Sequence, residues 1–553
     1  MNTRWRSLLL GGLSLSVAGA LLSGLLPAPL DAQAGLSGGP ARRPNEGAGP
    51  FNRMVIRNVM IIDGTGAPPY GPMNVVVSGN RIQAIQGAGT PGVQQPAAPA
   101  GRQGGAQPPA GGGRGGRGGA PADHEIDGTG MYLLPGFVDL HVHAGGAPKN
   151  ADAEYAYKLW LGHGVTTVRG VALGGNQWSA TEREKSEKNA IVAPRIFNYQ
   201  RPGGMGSPES ARAWVRENAH LIDGLKLGAH EPDVMAAVID EAHKNGLGTT
   251  AHLQQGGVAQ MNAIDAARVG LDTVTHFYGH FESLLKDTVV QNWPIDINAN
   301  DEQHRSGQVA RLWNQIHEPG SPEWKAYLAE HLKLGTTFDP TMTIYSAGRD
   351  VMRARQADYH DKYTLPSLMD YYAPSRVNHG SYWYDWTTHD EIAWRNFYQV
   401  WFKLVNDYKK IGGRVTTGSD SGFIYQTYGF GYVLELEMLQ EAGFHPLEVI
   451  QAATMNGALT LSEHRAKPVE FGVVKAGMLA DLVIVDQNPL ANLKVLYGTG
   501  HVKLNDQTGR VERVGGIKWT VKDGIAYDAK KLLADVAAMV EKQKASKTTN
   551  QNQ

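Results

Sequence analysis

No cysteine occurs among the 553 residues. Disulfides, thiolate nucleophiles and cysteine-ligated metal sites are therefore excluded, and any transition-metal site must use histidine, carboxylates or modified residues. A net excess of either charge is also missing. Lys plus Arg total 52 and Asp plus Glu 53, a formal net charge of −1. That balance gives no electrostatic reason to expect nucleic acid or an anionic membrane as partner. Histidine, by contrast, is present in 19 copies, and 42% of residues are hydrophobic, enough for a large core. The length suits a barrel plus a second module.

The N-terminus reads as an export signal over residues 1–34. Arg4 and Arg6 precede an apolar stretch from about Leu8 to Leu26, broken by glycines, serines and Pro27. Ala32-Gln33-Ala34 then supplies small residues for cleavage. The expected destination is periplasmic or secreted, with no stable membrane insertion after cleavage. Because no cysteine follows the signal, a lipid anchor is excluded.

Residues 35–52 are Gly/Pro-rich and are expected to be a disordered linker. From Met54 the runs MVIRNVMIID and MNVVVSGNRIQAIQ are strand-like, bounded by Gly and Asn. A low-complexity insert over 87–122 interrupts them. Its GGGRGGRGG carries only Arg114 and Arg117 and reads as a surface loop rather than an RNA-binding tract. After it, PGFVDLHVH, GVTTVRG, PRIFNYQ, IDGLKLG, LGTTAHL and LDTVTHF recur at similar spacing. Helix-like stretches lie between them, such as EPDVMAAVIDEAHKNG with Val234, Val238 and Ile239 on one face. TTFDPTMT and RVTTGSD supply two further strands, giving eight βα units. The expected fold is a (β/α)8 TIM barrel over 135–465, with long loops after strands 6 and 7. Segments 53–134 and 466–527 are expected to form one small β-sandwich domain from both chain ends. A C-terminal helix and polar tail cover 528–553, with Leu532, Leu533, Val536, Met539 and Val540 on one stripe.

His141-Val142-His143 ends the first barrel strand. Residues at i and i+2 share a face of a strand, so both imidazoles project together into the barrel mouth. An HxH pair alone is weak evidence in a chain with 19 histidines. However, His252 ends GTTAHL, His276 ends DTVTHF and Asp420 ends VTTGSD. All five sit at C-terminal strand ends, the face where barrel active sites are assembled. Imidazole and carboxylate suit zinc, and catalytic zinc keeps one position open. Lys226 is flanked by Leu225 and Leu227. If those leucines face the helices, Lys226 faces inward. Desolvation lowers the pKa of an inward amine, and a neutral amine can capture carbon dioxide as a carbamate.

These residues in this order resemble the amidohydrolase superfamily, in its imidazolonepropionase-like and prolidase-like branch. The resemblance spans PGFVDLHVH, GVTTVRG, the lysine strand, AHL, THF and GSDSG, and continues through HPLEVIQAATMNGALTL and GVVKAGMLADLVIVDQNPL. It implies two divalent ions, zinc foremost. His141, His143 and Asp420 match the ligands of one ion, and His252 and His276 match those of the other. Lys226 matches a carboxylated bridging lysine, and Asp420 also matches the general base. One departure is Gly170, where many relatives carry Asp. Beside it, Arg169 is a candidate for binding a substrate carboxylate or for a structural role at the strand end. Tyr278, His280 and Tyr345 follow barrel strands and are candidate substrate contacts.

The implied activity is hydrolysis of an amide bond, such as that of a dipeptide or N-acyl amino acid, by metal-activated hydroxide. The alternatives are a lactonase or deaminase on the same site, or a non-catalytic exported binding protein. The partner is a small-molecule substrate, and a homo-oligomer is compatible with the sequence. Tyr382, Trp383, Tyr384 and Trp386 form either an apolar wall over the substrate or a packed lid core.

Overall fold

The computed structural model describes residues 35–88, 121–376, 378, 380–381, 385–465 and 467–551. The expected signal, all but the ends of the Gly/Arg-rich insert, and Tyr382, Trp383 and Tyr384 lie outside the described residues.

Five strands open the chain: β1 (Met54–Ile61), β2 (Tyr70–Ser78), β3 (Arg81–Gly87), β4 (His124–Asp127) and β5 (Tyr132–Pro135). Seven more follow between helices: β6 (Phe137–Val142), β7 (Val165–Val171), β8 (Arg195–Gln200), β9 (Gly224–Leu227), β10 (Gly248–Ala251), β11 (Thr273–Thr275) and β12 (Thr337–Asp339). The last are β13 (Leu482–Val485), a hairpin of β14 (His501–Asn505) and β15 (Arg510–Val514), then β16 (Ile517–Lys522) and β17 (Ile525–Asp528).

Strands β6 to β12 pair in parallel in chain order. The segment RVTTGSD closes the ring. On one side Phe338 N donates to Arg414 O at 3.0 Å and Thr416 N to Phe338 O at 3.0 Å. On the other, Leu140 N donates to Thr417 O at 2.9 Å and Asp420 N to His141 O at 2.8 Å. An eighth member thus joins β12 to β6, and the expected (β/α)8 barrel is the observed one. Every residue of β6 and β7 is buried, as in a parallel sheet covered on both faces. Leu225 and Leu227 of β9 pack on Val234, Met235 and Val238 of helix Pro232–Lys244, so the alternate residue, Lys226, points into the barrel.

Apart from the separate β14-β15 hairpin, the other strands form one sheet from both chain ends, in the order β17-β16-β13-β5-β1-β2-β3, with β4 also on β1. The junction is antiparallel, with Leu133 of β5 opposite Ile484 of β13. Alternate residues Met54, Ile56, Val75, Val77, Leu133, Leu482, Ile484 and Val521 make one core. Ile82 and Ala526, from the two edge strands, share it, so the sheet curls over itself. Helix Ala529–Gln551 buries Leu532, Leu533, Val536 and Val540 and packs on helix Ala153–Gly162.

Two expectations need correction. Residues 35–52 are not a disordered linker. Ser37 N donates to Ala151 O at 2.8 Å, Arg42 N to Ala190 O at 2.7 Å and Ala48 N to Ala526 O at 2.9 Å. Buried Glu46 pairs with buried Lys158 at 2.9 Å. The glycine content serves close packing: Gly47 has φ +79°, and a Cβ there would lie 2.7 Å from the Tyr527 ring. Second, the long segments after strands 6 and 7 are largely helical. They carry Pro322–Leu334 and Thr388–Lys410, and the latter buries Trp394, Phe397, Tyr398 and Trp401. Trp386 stacks on Trp394, with centroids 6.1 Å apart, and belongs to this packed layer.

Candidate metal centre

The six side chains singled out above meet at the C-terminal rim of the barrel. Lys226 Nζ lies 3.4 Å from His141 Nε2 and 3.3 Å from His143 Nε2. Asp420 Oδ1 lies 3.7 Å from His141 Nε2 and 3.4 Å from His143 Nε2, while Oδ2 lies 3.6 Å from His276 Nε2. The His252 ring is 4.7 Å from that of His276, centroid to centroid.

Strand alternation brings Asp139, His141, Lys226 and Thr250 inward. It does not by itself deliver His276 or Asp420. Thr275 already faces inward, bonded to Thr250 at 2.8 Å, so its neighbour should face out. Left-handed φ values of 65° at His276 and 48° at Asp420 turn both side chains to the mouth. Such backbone costs about 1–3 kcal/mol per residue and is characteristic of functional sites. Gly418 completes the geometry: a Cβ there would lie 2.6 Å from Thr341 Cγ2 and 2.8 Å from Asp339 Oδ1.

The donor set fits divalent cations. Thr341 Oγ1 donates its proton to Pro340 O at 2.7 Å and therefore accepts from His276 Nδ1. The Nε2 of His276 is then an unprotonated lone pair, buried without a hydrogen-bond partner among the described residues. It faces a carboxylate oxygen at 3.6 Å. Two lone pairs opposed in this way repel unless a cation lies between them. In the same manner His143 Nδ1 sits 3.3 Å from Ala172 O, a donor's position, which leaves Nε2 to the site. The separations of 3.3–3.7 Å exceed ordinary hydrogen bonds. Those between Asp420 and the three imidazoles, 3.4–3.7 Å, lie close to the edge of about 3.3 Å between ligands bound tetrahedrally at ~2.0–2.1 Å.

Burial, followed by the charge of Lys226, holds the His141, His143 and His276 imidazoles well below their ordinary pKa, so they stay neutral and able to ligate. Burial also brings the Lys226 amine down to about 7, helped by Arg201. The neutral amine required for carbamate formation is therefore accessible near neutral pH.

Beneath the site lies a polar plug that the sequence analysis missed. Arg169 is fully buried, with Nε donating to Leu140 O at 2.6 Å and a guanidinium nitrogen paired with Asp339 Oδ2 at 2.8 Å. Of the two roles open to Arg169, its contacts are those of the structural one: Nε and a guanidinium nitrogen are bonded inside the barrel rather than offered to a substrate. Asp139 accepts from Ser419 Oγ at 2.6 Å and from His141 N at 3.2 Å, tying the eighth strand to the first ligand pair. Burial pushes its carboxyl up to about 7. His280 is also corrected. It is buried against Phe338 and His331 on the outer side of the barrel, with Nδ1 2.6 Å from Tyr327 OH. Tyr278 and Tyr345 do stand beside the site. Their hydroxyls are 3.1 Å apart, and Tyr278 lies 4.8 Å from His252 between ring centroids.

No protein-family model and no curated protein matches the chain. Solved structures do share its fold. A Xaa-Pro dipeptidase with bound methionine matches with TM-score 0.54 and 18% identity, over 86% of this chain and 100% of the other. A putative prolidase from Bifidobacterium longum gives 0.52 and 19%, over 88% and 99%. Bottromycin amidohydrolase gives 0.55 and 17%, over 88% and 91%. At these identities the likeness establishes a common fold across nearly the full length of each structure.

Proposed function

We propose that this chain is an exported, metal-dependent hydrolase of the amidohydrolase superfamily that cleaves amide bonds, such as those of dipeptides or N-acyl amino acids. One observation carries the reading: four histidines, one aspartate and one buried lysine from five barrel strands converge at one rim, with the Nε2 atoms of His141, His143 and His276 each 3.4–3.7 Å from an Asp420 oxygen. Three of the solved structures that share the fold are named as a Xaa-Pro dipeptidase, a putative prolidase and an amidohydrolase, which supports amide substrates.

His141, His143 and Asp420 would hold one ion, His252 and His276 the second, and a carbamate on Lys226 would bridge them. Zinc suits these ligands best among common divalent ions. Bound there, the cations acidify water and polarise a carbonyl. The chain's own contribution is positional and acid–base. Asp420, at the rim and turned in by its backbone, takes the proton from the attacking water and returns it to the leaving nitrogen. Thr341 and Ala172 fix the tautomers of His276 and His143. Tyr278, which burial holds up to about 12, stays protonated and presents a hydroxyl beside His252. Export rests on the N-terminal pattern of residues 1–34.

Purified, zinc-loaded protein screened on dipeptides, N-acyl amino acids and lactones tests the reading. Amide turnover that disappears with chelation and returns with zinc is the expected result. Turnover of lactones alone, or binding without turnover, would displace it in favour of a lactonase or a binding protein.

A further inference from the structure

Lys149 is buried beside this site, behind the Phe423 ring, and has no counter-ion among the described residues. Its loop is tied by internal hydrogen bonds: Lys149 N donates to Gly146 O at 2.8 Å, Gly146 N to Asn150 O at 2.9 Å, and Asn150 Nδ2 to Ala144 O at 2.9 Å. The residue is 1% exposed. Its ammonium sits 3.4 Å from the centroid of the Phe423 ring and 5.3 Å from that of Tyr371. No hydrogen bond or ion pair reaches it among the described residues. Phe423 in turn stands perpendicular to the His143 imidazole, with centroids 5.8 Å apart. One aromatic ring therefore separates the ammonium from a metal-site histidine. The opposing charge that acts on Lys149 is that of Asp420, and burial brings its pKa down to about 7. Arg201, the residue after β8, adds a second positive charge that acts on His143 and Lys226.

An ammonium buried without an anion is costly, and a site that keeps one in a fixed loop is complementary to an anion that arrives from outside. Cation–π contact with Phe423 and Tyr371 offsets part of that cost. We propose that Lys149 is the substrate-recognition residue of this site and pairs with a carboxylate of the substrate. The preferred substrates are then amides bearing a free carboxylate, as in dipeptides and N-acyl amino acids, rather than neutral amides or lactones. Sequence periodicity gave no sign of this, because Lys149 lies in a loop and its aromatic partners lie more than two hundred residues away.

The inference rests on the hydrolase reading, so its test separates the two. The probes are N-benzoyl-phenylalanine and Phe-Pro, each beside its C-terminal carboxamide. The proteins are the zinc-loaded full chain and its Lys149→Met and Lys149→Arg variants. With the acids, Lys149→Met should lose roughly 10–100-fold in kcat/KM, chiefly through KM, as expected for removal of a charge-assisted contact. The carboxamides should be little affected, and Lys149→Arg should recover part of the loss. Calorimetric binding of the same probes gives a readout independent of turnover: wild type should bind acid over carboxamide, and Lys149→Met should not. If nothing is hydrolysed yet this preference holds, the hydrolase reading fails and the recognition assignment stands. Equal losses on acid and carboxamide, unchanged discrimination in Lys149→Met, or no acid binding by wild type overturns the assignment.

Discussion

Asp420→Asn and Lys226→Ala should damage the site in two distinguishable ways. Asp420 presents Oδ1 to His141 and His143 at 3.7 and 3.4 Å, and Oδ2 to His276 at 3.6 Å. An asparagine is isosteric and keeps one carbonyl oxygen, so part of the coordination survives. What it loses is the negative charge and the proton acceptor. The expected loss in kcat is ~10²–10⁴-fold, about 2.7–5.4 kcal/mol of barrier at ~1.36 kcal/mol per decade. Lys226→Ala removes instead the amine that faces the imidazoles of His141 and His143 at 3.4 and 3.3 Å. Without the bridge, metal should be lost before chemistry can be measured. Metal analysis of both purified variants beside their turnover separates the outcomes: near-normal metal with little turnover in the first, depleted metal in the second. Full activity in Asp420→Asn, or full metal content in Lys226→Ala, would refute the division of labour.

Other consequences follow from the same geometry. Asp339→Ala leaves the Arg169 guanidinium buried and unpaired and should cost about 3–5 kcal/mol in urea unfolding; a loss below about 1 kcal/mol would show that Leu140 O and Thr273 suffice for it. For the metal-free protein, the depressed pKa values of His141, His143 and His276 mean that the unfolded chain binds more protons than the fold. These three histidines should therefore cost the fold stability on acidification below about 6.5, the unfolded histidine value, while buried Asp139, held up to about 7, acts in the opposite sense. Chemical denaturation at a series of pH values, of the wild type beside a His141→Asn/His143→Asn/His276→Asn variant, isolates the histidine part, and the same pH slope in both between about pH 5 and 7 would contradict it. Deletion of residues 87–122 should leave turnover and Tm nearly unchanged, since Gly/Pro-rich sequence buries little apolar surface; a folded but inactive deletion variant would show that the insert takes part in binding or catalysis.

Much of the site was legible because β-structure converts sequence spacing into direction. His141 and His143 share a face by the period of two, and the leucines flanking Lys226 settle which way the lysine points. His276 and Asp420 were found by their place at strand ends, although the left-handed backbone that aims them is invisible to periodicity. The same strand-end argument failed for His280. It lies five residues past Thr275, the inward threonine that ends β11, and the chain has turned to the outer side by then. Arg169 was ambiguous because its carboxylate partner is 170 residues distant, and no local pattern links them. The segment 35–52 was misread because composition reports average propensity. Its order depends on particular partners: Ala151, Ala190, Ala526 and the buried Lys158.

The central claim is a two-ion centre made by His141, His143, Lys226, His252, His276 and Asp420. Quantitative metal analysis of the full chain purified without chelator, beside the His141→Ala/His143→Ala and His252→Ala/His276→Ala double variants, tests it most directly. The account predicts about two divalent ions per wild-type chain, in line with binuclear hydrolase sites, and a clear loss in each folded double variant. A wild-type chain that holds no metal after zinc supplementation, or double variants that hold as much as wild type, would contradict it.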